Sequence, residues 1–172
     1  MSKASPGVAA NDDMGLEDLL EHAVKDIYYA EKKIYRSLPK MIKAAHSEAL
    51  RDALTAHRDE TATQIDNLEK VFELMGKKVK AEKCDAIDGI LEEAVGLLED
   101  FGKTKAGDAA IIFSCQAVEH YEITRYGSIS AFATVLGRKD VAKIIDGILA
   151  QEKAADEKLS SMAEQRINAA AA

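Results

Sequence analysis

Residues 108–136 read DAAIIFSCQAVEHYEITRYGSISAFATVL, and this stretch decides the fold. Its apolar residues recur every three or four positions, which is the spacing of one face of an α-helix. Gly137 follows the stretch and is a typical stop signal. The same face carries Glu119 and Glu122, although unpaired buried carboxylates are costly and rare in helical cores. The stretch therefore predicts a long helix whose core-facing glutamates have a chemical role.

The same apolar spacing predicts three more long helices. They run from Leu16 to about Ala45, from a cap at Ser47 to a stop at Gly76, and from about Lys139 to Asn168. Pro39 lies inside the first of them. Since proline lacks an N–H and crowds the preceding turn, we expect a kink or a brief break there.

The connection from Gly76 to Gly107 is far longer than the two other joints between long helices. It contains a short helical pattern from a cap at Asp85 to Gly102. Such a connection lets the next long helix start at the far end of the molecule. The pattern thus predicts an all-α protein, a ferritin-like antiparallel four-helix bundle whose long crossover holds a short fifth helix. A simple up-down bundle is the alternative.

Length and composition predict one globular domain. The chain has 172 residues, of which 47% are hydrophobic and 31% charged. We expect the domain to span 16–168, with a flexible tail at 1–15 and a frayed end at the final NAAAA. The net charge of −7 and the lack of a basic run argue against nucleic acid and membrane surfaces as partners.

Cysteine usage and the first residues predict a cytoplasmic location. Cys84 and Cys115 lack CxxC spacing, which is more typical of a reducing compartment than of a disulfide scaffold. The first residues lack the apolar segment of a secretory signal, and no apolar run is long enough for a membrane span. Both cysteines are expected to be small buried hydrophobes.

Turn counting places glutamates from all four long helices at one depth. In an antiparallel hairpin, residues equidistant from the turn lie level along the bundle axis. Glu31 and Glu60 are centred on the turn at 45–46, and Glu122 and Glu152 are centred on Gly137. Any one glutamate alone is better explained as a solvated or salt-bridged position. Together with Glu119, however, they form the ligand set of a dinuclear iron or manganese site.

Two more residues accompany this predicted site. His57 precedes Glu60 by one helical turn, and Asp156 follows Glu152 by one turn. Each is either a metal ligand or a hydrogen-bonding neighbour of a ligand, and His57 can equally be a partly exposed polar residue. No catalytic residue separate from the metal site is expected.

Five segments resemble the YciF-type (YciE/YciF) family of ferritin-like proteins, over about residues 16–163. They are DIYYAEKKI, HRDETATQIDNLEKVFE, EKCDAIDGILEEA, VEHYEITRYGS and AQEKAADEKL. The resemblance implies a rubrerythrin-like di-metal bundle, usually a homodimer, in a stress response. It also implies metal-ligand roles for glutamates of all four long helices. The first, second and fourth helices supply one ligand each, and the third supplies an ExxE pair. The residues are Glu31, Glu60, Glu119, Glu122 and Glu152.

The chain departs from the ferritin pattern where ExxH motifs would place histidines. Thr63 and Ala155 stand there, and Gln64 and Asp156 follow one residue later. We therefore expect an oxygen-rich site for two iron ions, with manganese as the other choice. The expected function is ferroxidase-type redox activity with O2 or peroxide. The alternatives are a non-catalytic dimeric stress protein with a structural or vestigial metal site, and manganese-catalase-like peroxide consumption.

Overall fold

Helices make up most of the chain in the computed structural model, which describes residues 14–172. The helices are α1 Leu16–Ala44, α2 Glu48–Leu74, α3 Asp85–Phe101, α4 Gly107–Val135, α5 Lys139–Met162 and, after a π-helical turn at Ala163–Ile167, α6 Asn168–Ala171. No β-strand occurs within this described range. The predicted all-α class is confirmed. The predicted tail at 1–15 lies almost entirely outside the described residues.

The four long helices form two antiparallel hairpins that pack against each other. In the bundle α1 contacts α2 and α4, while α5 contacts α4 and α2. The backbone N–H groups of His46 and Ser47 donate to the carboxylate of Asp108 at 2.7 and 2.8 Å. This contact joins the α1–α2 turn to the first turn of α4. Helix α4 therefore begins at the end where α2 also begins.

The connection between α2 and α4 returns along the length of the bundle. Its helix α3 packs against α1 and α4. This is the predicted crossover with a short fifth helix, and it excludes the simple up-down alternative, in which α4 would start where α2 ends. None of the helices in the described range is long and apolar enough to cross a membrane.

The core between the long helices consists mainly of aliphatic side chains. Each fully buried side chain of this kind stabilises the fold by roughly 2 kcal/mol. The largest side chains of any type with almost no exposure are the aromatic Tyr126 and Phe72 and the aliphatic Leu20, Ile27, Leu50, Leu54, Leu68, Ile87, Ile111, Ile112, Ile129 and Ile145. On α1, buried apolar residues lie on both sides of the buried Glu31.

Several predicted helix ends are confirmed. Ser47 caps α2, its hydroxyl accepting a hydrogen bond from the N–H of Leu50 at 3.4 Å. Gly76 and Gly137 adopt φ values of 66° and 73°, the left-handed conformation that glycine favours after a helix. At α3, the cap position belongs to Cys84 rather than Asp85, which is the first helical residue.

Two local expectations differ from the structure. Helix α1 continues through Pro39 to Ala44, so the brief break does not occur, while the alternative of a kink stays a prediction. Burial of Leu38 and Met41 on either side offsets the backbone hydrogen bond that the proline removes. The C-terminal segment is not frayed but helical to Ala171, because the buried side chain of Ile167 holds the last turns against α4.

Candidate metal centre

Four glutamate side chains lie in the middle of the bundle core. Glu31 of α1, Glu119 and Glu122 of α4 and Glu152 of α5 are each at most 1% exposed. His57 of α2 joins them from the fourth helix and is 8% exposed. Ligand atoms of His57, Glu119, Glu122 and Glu152 all lie within 4.8 Å of one another. Glu31 lies outside that group but within side-chain hydrogen-bonding reach of Glu122. All four long helices thus contribute to one buried His/Glu cluster, in which the group on α2, α4 and α5 could hold a metal ion.

Neutral hydrogen-bond donors orient two of the carboxylates. The hydroxyl of Tyr126 donates to Oε1 of Glu31. The side-chain amide of Gln64 donates to Oε1 of Glu152. Each bond occupies one oxygen and leaves the other free to face its neighbours. Tyr126 is itself fully buried, so its ring packs in the core while its hydroxyl binds Glu31.

Five carboxylate oxygens of the cluster have no hydrogen-bond donor. They are Oε2 of Glu31, Oε2 of Glu119, both oxygens of Glu122 and Oε2 of Glu152. Buried polar atoms in folded proteins nearly always have a partner. Within residues 14–172, the only basic side chain close to these glutamates is His57, whose Nε2 lies 3.3 Å from Oε1 of Glu119. The cluster therefore needs cations or protons to satisfy its oxygens.

Burial raises the pKa of all four carboxyl groups above the ordinary value of 4.5. Repulsion between neighbouring carboxylates raises the pKa values of Glu31, Glu119 and Glu122 further. Glu119 is paired with Glu152, and Glu122 with Glu31, closely enough to share protons. Without a cation, the cluster therefore holds protons at neutral pH. A cation that binds there must displace them.

His57 is the only imidazole in the cluster. Burial lowers its pKa to about 4, so the ring is neutral at pH 7. The neutral ring has a free lone pair and is the form that binds metals. Its neighbour one turn on, Thr61, is fully buried and bonds the His57 carbonyl with its hydroxyl at 2.9 Å. The cluster thus combines one neutral nitrogen donor with an excess of oxygen donors.

Two predicted site residues lie at the periphery of the cluster. Glu60 is exposed and lies beside the cluster, near enough for its charge to raise the pKa of Glu152. The carboxylate of Asp156 is bound by Gln116 at 3.0 Å and by His120 at 3.2 Å. Neither belongs to the group of ligand atoms within 4.8 Å.

The angular position of Glu60 around the axis of α2 explains why it lies at the periphery of the cluster. Turn counting gives a residue's depth along the bundle but not the direction in which it points. On α2, His57, Thr61 and Gln64 are buried, whereas Glu60 is exposed at the edge of the same helix face. Thr63 is also exposed, so a histidine at that position would face away from the core.

A cavity of about 160 Å³ reaches the cluster between α2 and α5. His57 and Glu119 line its inner part, and Glu60, Gln151 and Lys158 are among its other lining residues. Gln151 and Lys158 were not predicted as site residues from the sequence. Nothing in the helical spacing marks them, because a gap between helices depends on how closely the helices pack.

Comparisons with known proteins identify relatives of this chain. The sequence profile of a family described as "Domain of unknown function (DUF892)" matches residues 15–172. Protein YciF of Escherichia coli strain K12 is 40% identical over 154 residues, which cover 89% of this chain and 93% of that protein.

Two solved structures resemble the fold over nearly its whole length. One is YcfI from Rhodopseudomonas palustris, whose description proposes a structural role. It is 43% identical with a TM-score of 0.85, and the match covers 89% of this chain and 98% of the other. The crystal structure of the E. coli stress protein YciF is 39% identical with a TM-score of 0.85, covering 90% and 98%.

Proposed function

The chain belongs to the DUF892 family, as its sequence motifs predicted, and on this basis we propose that its buried cluster is a di-metal redox site. The proposed ions are two iron ions, or two manganese ions, that react with O2 or peroxide. One observation carries the proposal: five buried carboxylate oxygens without a donor lie in one cluster with a neutral imidazole.

The donor set fits hard divalent cations. Carboxylate oxygens favour ions such as Fe(II) and Mn(II) over softer ions that prefer sulfur. When all four glutamates are ionised, their four negative charges balance two divalent ions. Both cysteines of the chain are buried and free, and burial raises the pKa of Cys115 to about 12, so this thiol is protonated at neutral pH. These properties support an oxygen-rich site with at most one nitrogen ligand.

The chain's own residues would hold and orient such ions. Tyr126 and Gln64 each bond one oxygen of a carboxylate, which keeps the other oxygen directed at the cluster. Glu119 and Glu122 lie one turn apart on α4 and can supply ligands along the bundle axis. When bound, two such ions would supply open coordination positions and electrons for O2 or peroxide reduction. No catalytic residue separate from the cluster is proposed.

The cellular setting is also a proposal. The E. coli relative is described as a stress protein, which supports a role for this chain in a stressed cell. We propose that the chain acts in the cytoplasm as a homodimer, in line with its family.

A structural role is the second candidate. The description of the R. palustris relative favours it. In that case the cluster would bind metal to strengthen the bundle without turning over a substrate. The two candidates differ in oxygen chemistry and agree on metal binding.

Oxygen consumption after Fe(II) addition tests the proposal. Metal-free protein is first titrated anaerobically with Fe(II), which we expect to saturate near two ions per chain. Oxygen is then admitted, and its uptake is compared with that of buffer containing the same iron. Uptake faster than in buffer supports the redox role, and binding without faster uptake favours the structural role. A protein that binds neither Fe(II) nor Mn(II) rules out both, and O2 release from added peroxide would indicate a catalase-type reaction.

A further inference from the structure

The cavity between α2 and α5 connects the cluster to solvent. Its inner wall is formed by His57 and Glu119, and its outer wall by the exposed Glu60 and Lys158. The gap exists because small side chains face each other across these two helices. They are Ala53, Ala56, Ala154 and Ala155. The largest fully buried side chains of the core are mostly leucine and isoleucine.

A second cavity approaches the same His57 and Glu119 from the opposite side, between α1, α3 and α4. It measures only about 30 Å³. Apolar side chains such as Leu38, Met41 and Leu91 make up most of its wall. A hydrated cation loses its water at high cost in such surroundings. The wider opening between α2 and α5 carries polar groups along its wall and is the better route for an ion.

We propose that the α2–α5 cavity is the passage by which a divalent cation reaches the cluster, and that Glu60 binds the ion transiently before Glu119 and His57 take it up. This inference rests on the proposed metal site and assigns its route and one residue's role. Glu60 has the chemistry required, since an exposed carboxylate binds a hydrated cation and releases it readily.

Replacing Lys158 should change the rate of cation uptake in the opposite direction to replacing Glu60. It is exposed and lines the same cavity, so its ammonium group repels an incoming cation. Removing one unit charge about 8 Å from the path of a divalent ion changes the local concentration of that ion about fivefold in water. Glu60→Gln should therefore slow uptake about fivefold, and Lys158→Gln should speed it by a similar factor. Both effects should shrink at high salt.

Filling the gap should also slow uptake. Ala154 and Ala155 lie on α5 beside the cavity, and leucine at either position would narrow it. We expect Ala154→Leu, at an exposed position that tolerates a larger side chain, to slow uptake roughly tenfold or more, because a closed gap then opens only through transient motion of the helices.

Stopped-flow mixing with Co²⁺ measures this uptake without any redox reaction. Metal-free full-length protein is mixed with Co²⁺, and the visible absorbance of the bound ion is followed in time. Equilibrium dialysis then gives the final number of ions per chain, which we expect to equal that of the wild type in all three variants. Glu157→Gln and Ala150→Leu are matched controls, since both residues are exposed on α5 outside the cavity wall.

The outcomes separate the passage from the site. Wild-type protein that binds no Co²⁺ overturns both the passage and the proposed function. If the wild type binds Co²⁺ but Glu60→Gln and Ala154→Leu take it up at the control rate, the passage alone is wrong. A lower final number of ions in Glu60→Gln also overturns the inference, because it makes Glu60 a permanent ligand.

Discussion

Replacing Glu31 by glutamine should stabilise the metal-free protein at neutral pH. Glu31 is fully buried, and burial together with the charge of Glu152 raises its pKa to about 8 from an ordinary 4.5. In the folded protein it must therefore hold a proton at pH 7.5 that it would lose in the unfolded chain. An amide of the same shape avoids this cost, and its oxygen can still accept the hydrogen bond from Tyr126.

The size of the effect follows from the pKa difference. Because the pKa of Glu31 is higher in the folded protein than in the unfolded chain, the free energy of unfolding is unaffected below pH 4.5, the pKa in the unfolded chain. It falls as the pH rises from 4.5 toward 8. Each pH unit in that window costs about 1.4 kcal/mol, so three units give about 4 kcal/mol at pH 7.5. We expect 2–4 kcal/mol, or roughly 5–15 °C in Tm for a chain of this length. At pH 5 the gain should fall below about 1 kcal/mol.

Thermal melts followed by circular dichroism provide the assay. Wild-type and Glu31→Gln proteins are treated with a chelator and melted at pH 5 and pH 7.5. Glu93→Gln serves as the control, because Glu93 is exposed on α3. The reasoning is refuted if the variant is less stable than the wild type at pH 7.5, or if its gain is the same at both pH values.

Three more predictions concern the bound metal. Glu152→Gln should abolish Fe(II)-dependent oxygen uptake while far-UV circular dichroism stays helical; uptake at the wild-type rate would remove Glu152 from the site. Fe(II) affinity should fall as the pH is lowered from 8 to 6, because the pKa values of the four glutamates are raised and protons then compete with the metal. Calorimetry should accordingly detect proton release when Fe(II) binds at neutral pH. His57→Ala should weaken binding only in part because the carboxylates remain, and complete loss in anaerobic titration would contradict an oxygen-rich site.

The architecture of this protein could be predicted from local signals in its sequence. Apolar spacing marks the long helices, and the stops at Gly76 and Gly137 are confirmed by their left-handed conformation. The long connection after Gly76 correctly predicts the crossover. Pro39 and the final alanines could not be interpreted in the same way, because packing of distant residues offsets their local preferences.

The cluster was predictable in part. Turn counting correctly predicts that Glu31, Glu122 and Glu152 approach one another, because it depends only on the helical rise. It does not predict the rotation of α2, which directs His57 inward and Glu60 toward the surface. Nor does it predict the cavity, since alanines in a helical stripe also occur in closely packed cores.

Anomalous X-ray diffraction from crystals loaded anaerobically with Fe(II) tests the central claim most directly. Data collected at the iron absorption edge locate bound iron independently of any activity. The proposed site predicts two iron peaks per chain among Glu31, Glu119, Glu122 and Glu152, with His57 as the single nitrogen ligand. Crystals that bind iron elsewhere but show no peak between these glutamates, or a site in which two or more histidines hold the iron, would contradict it.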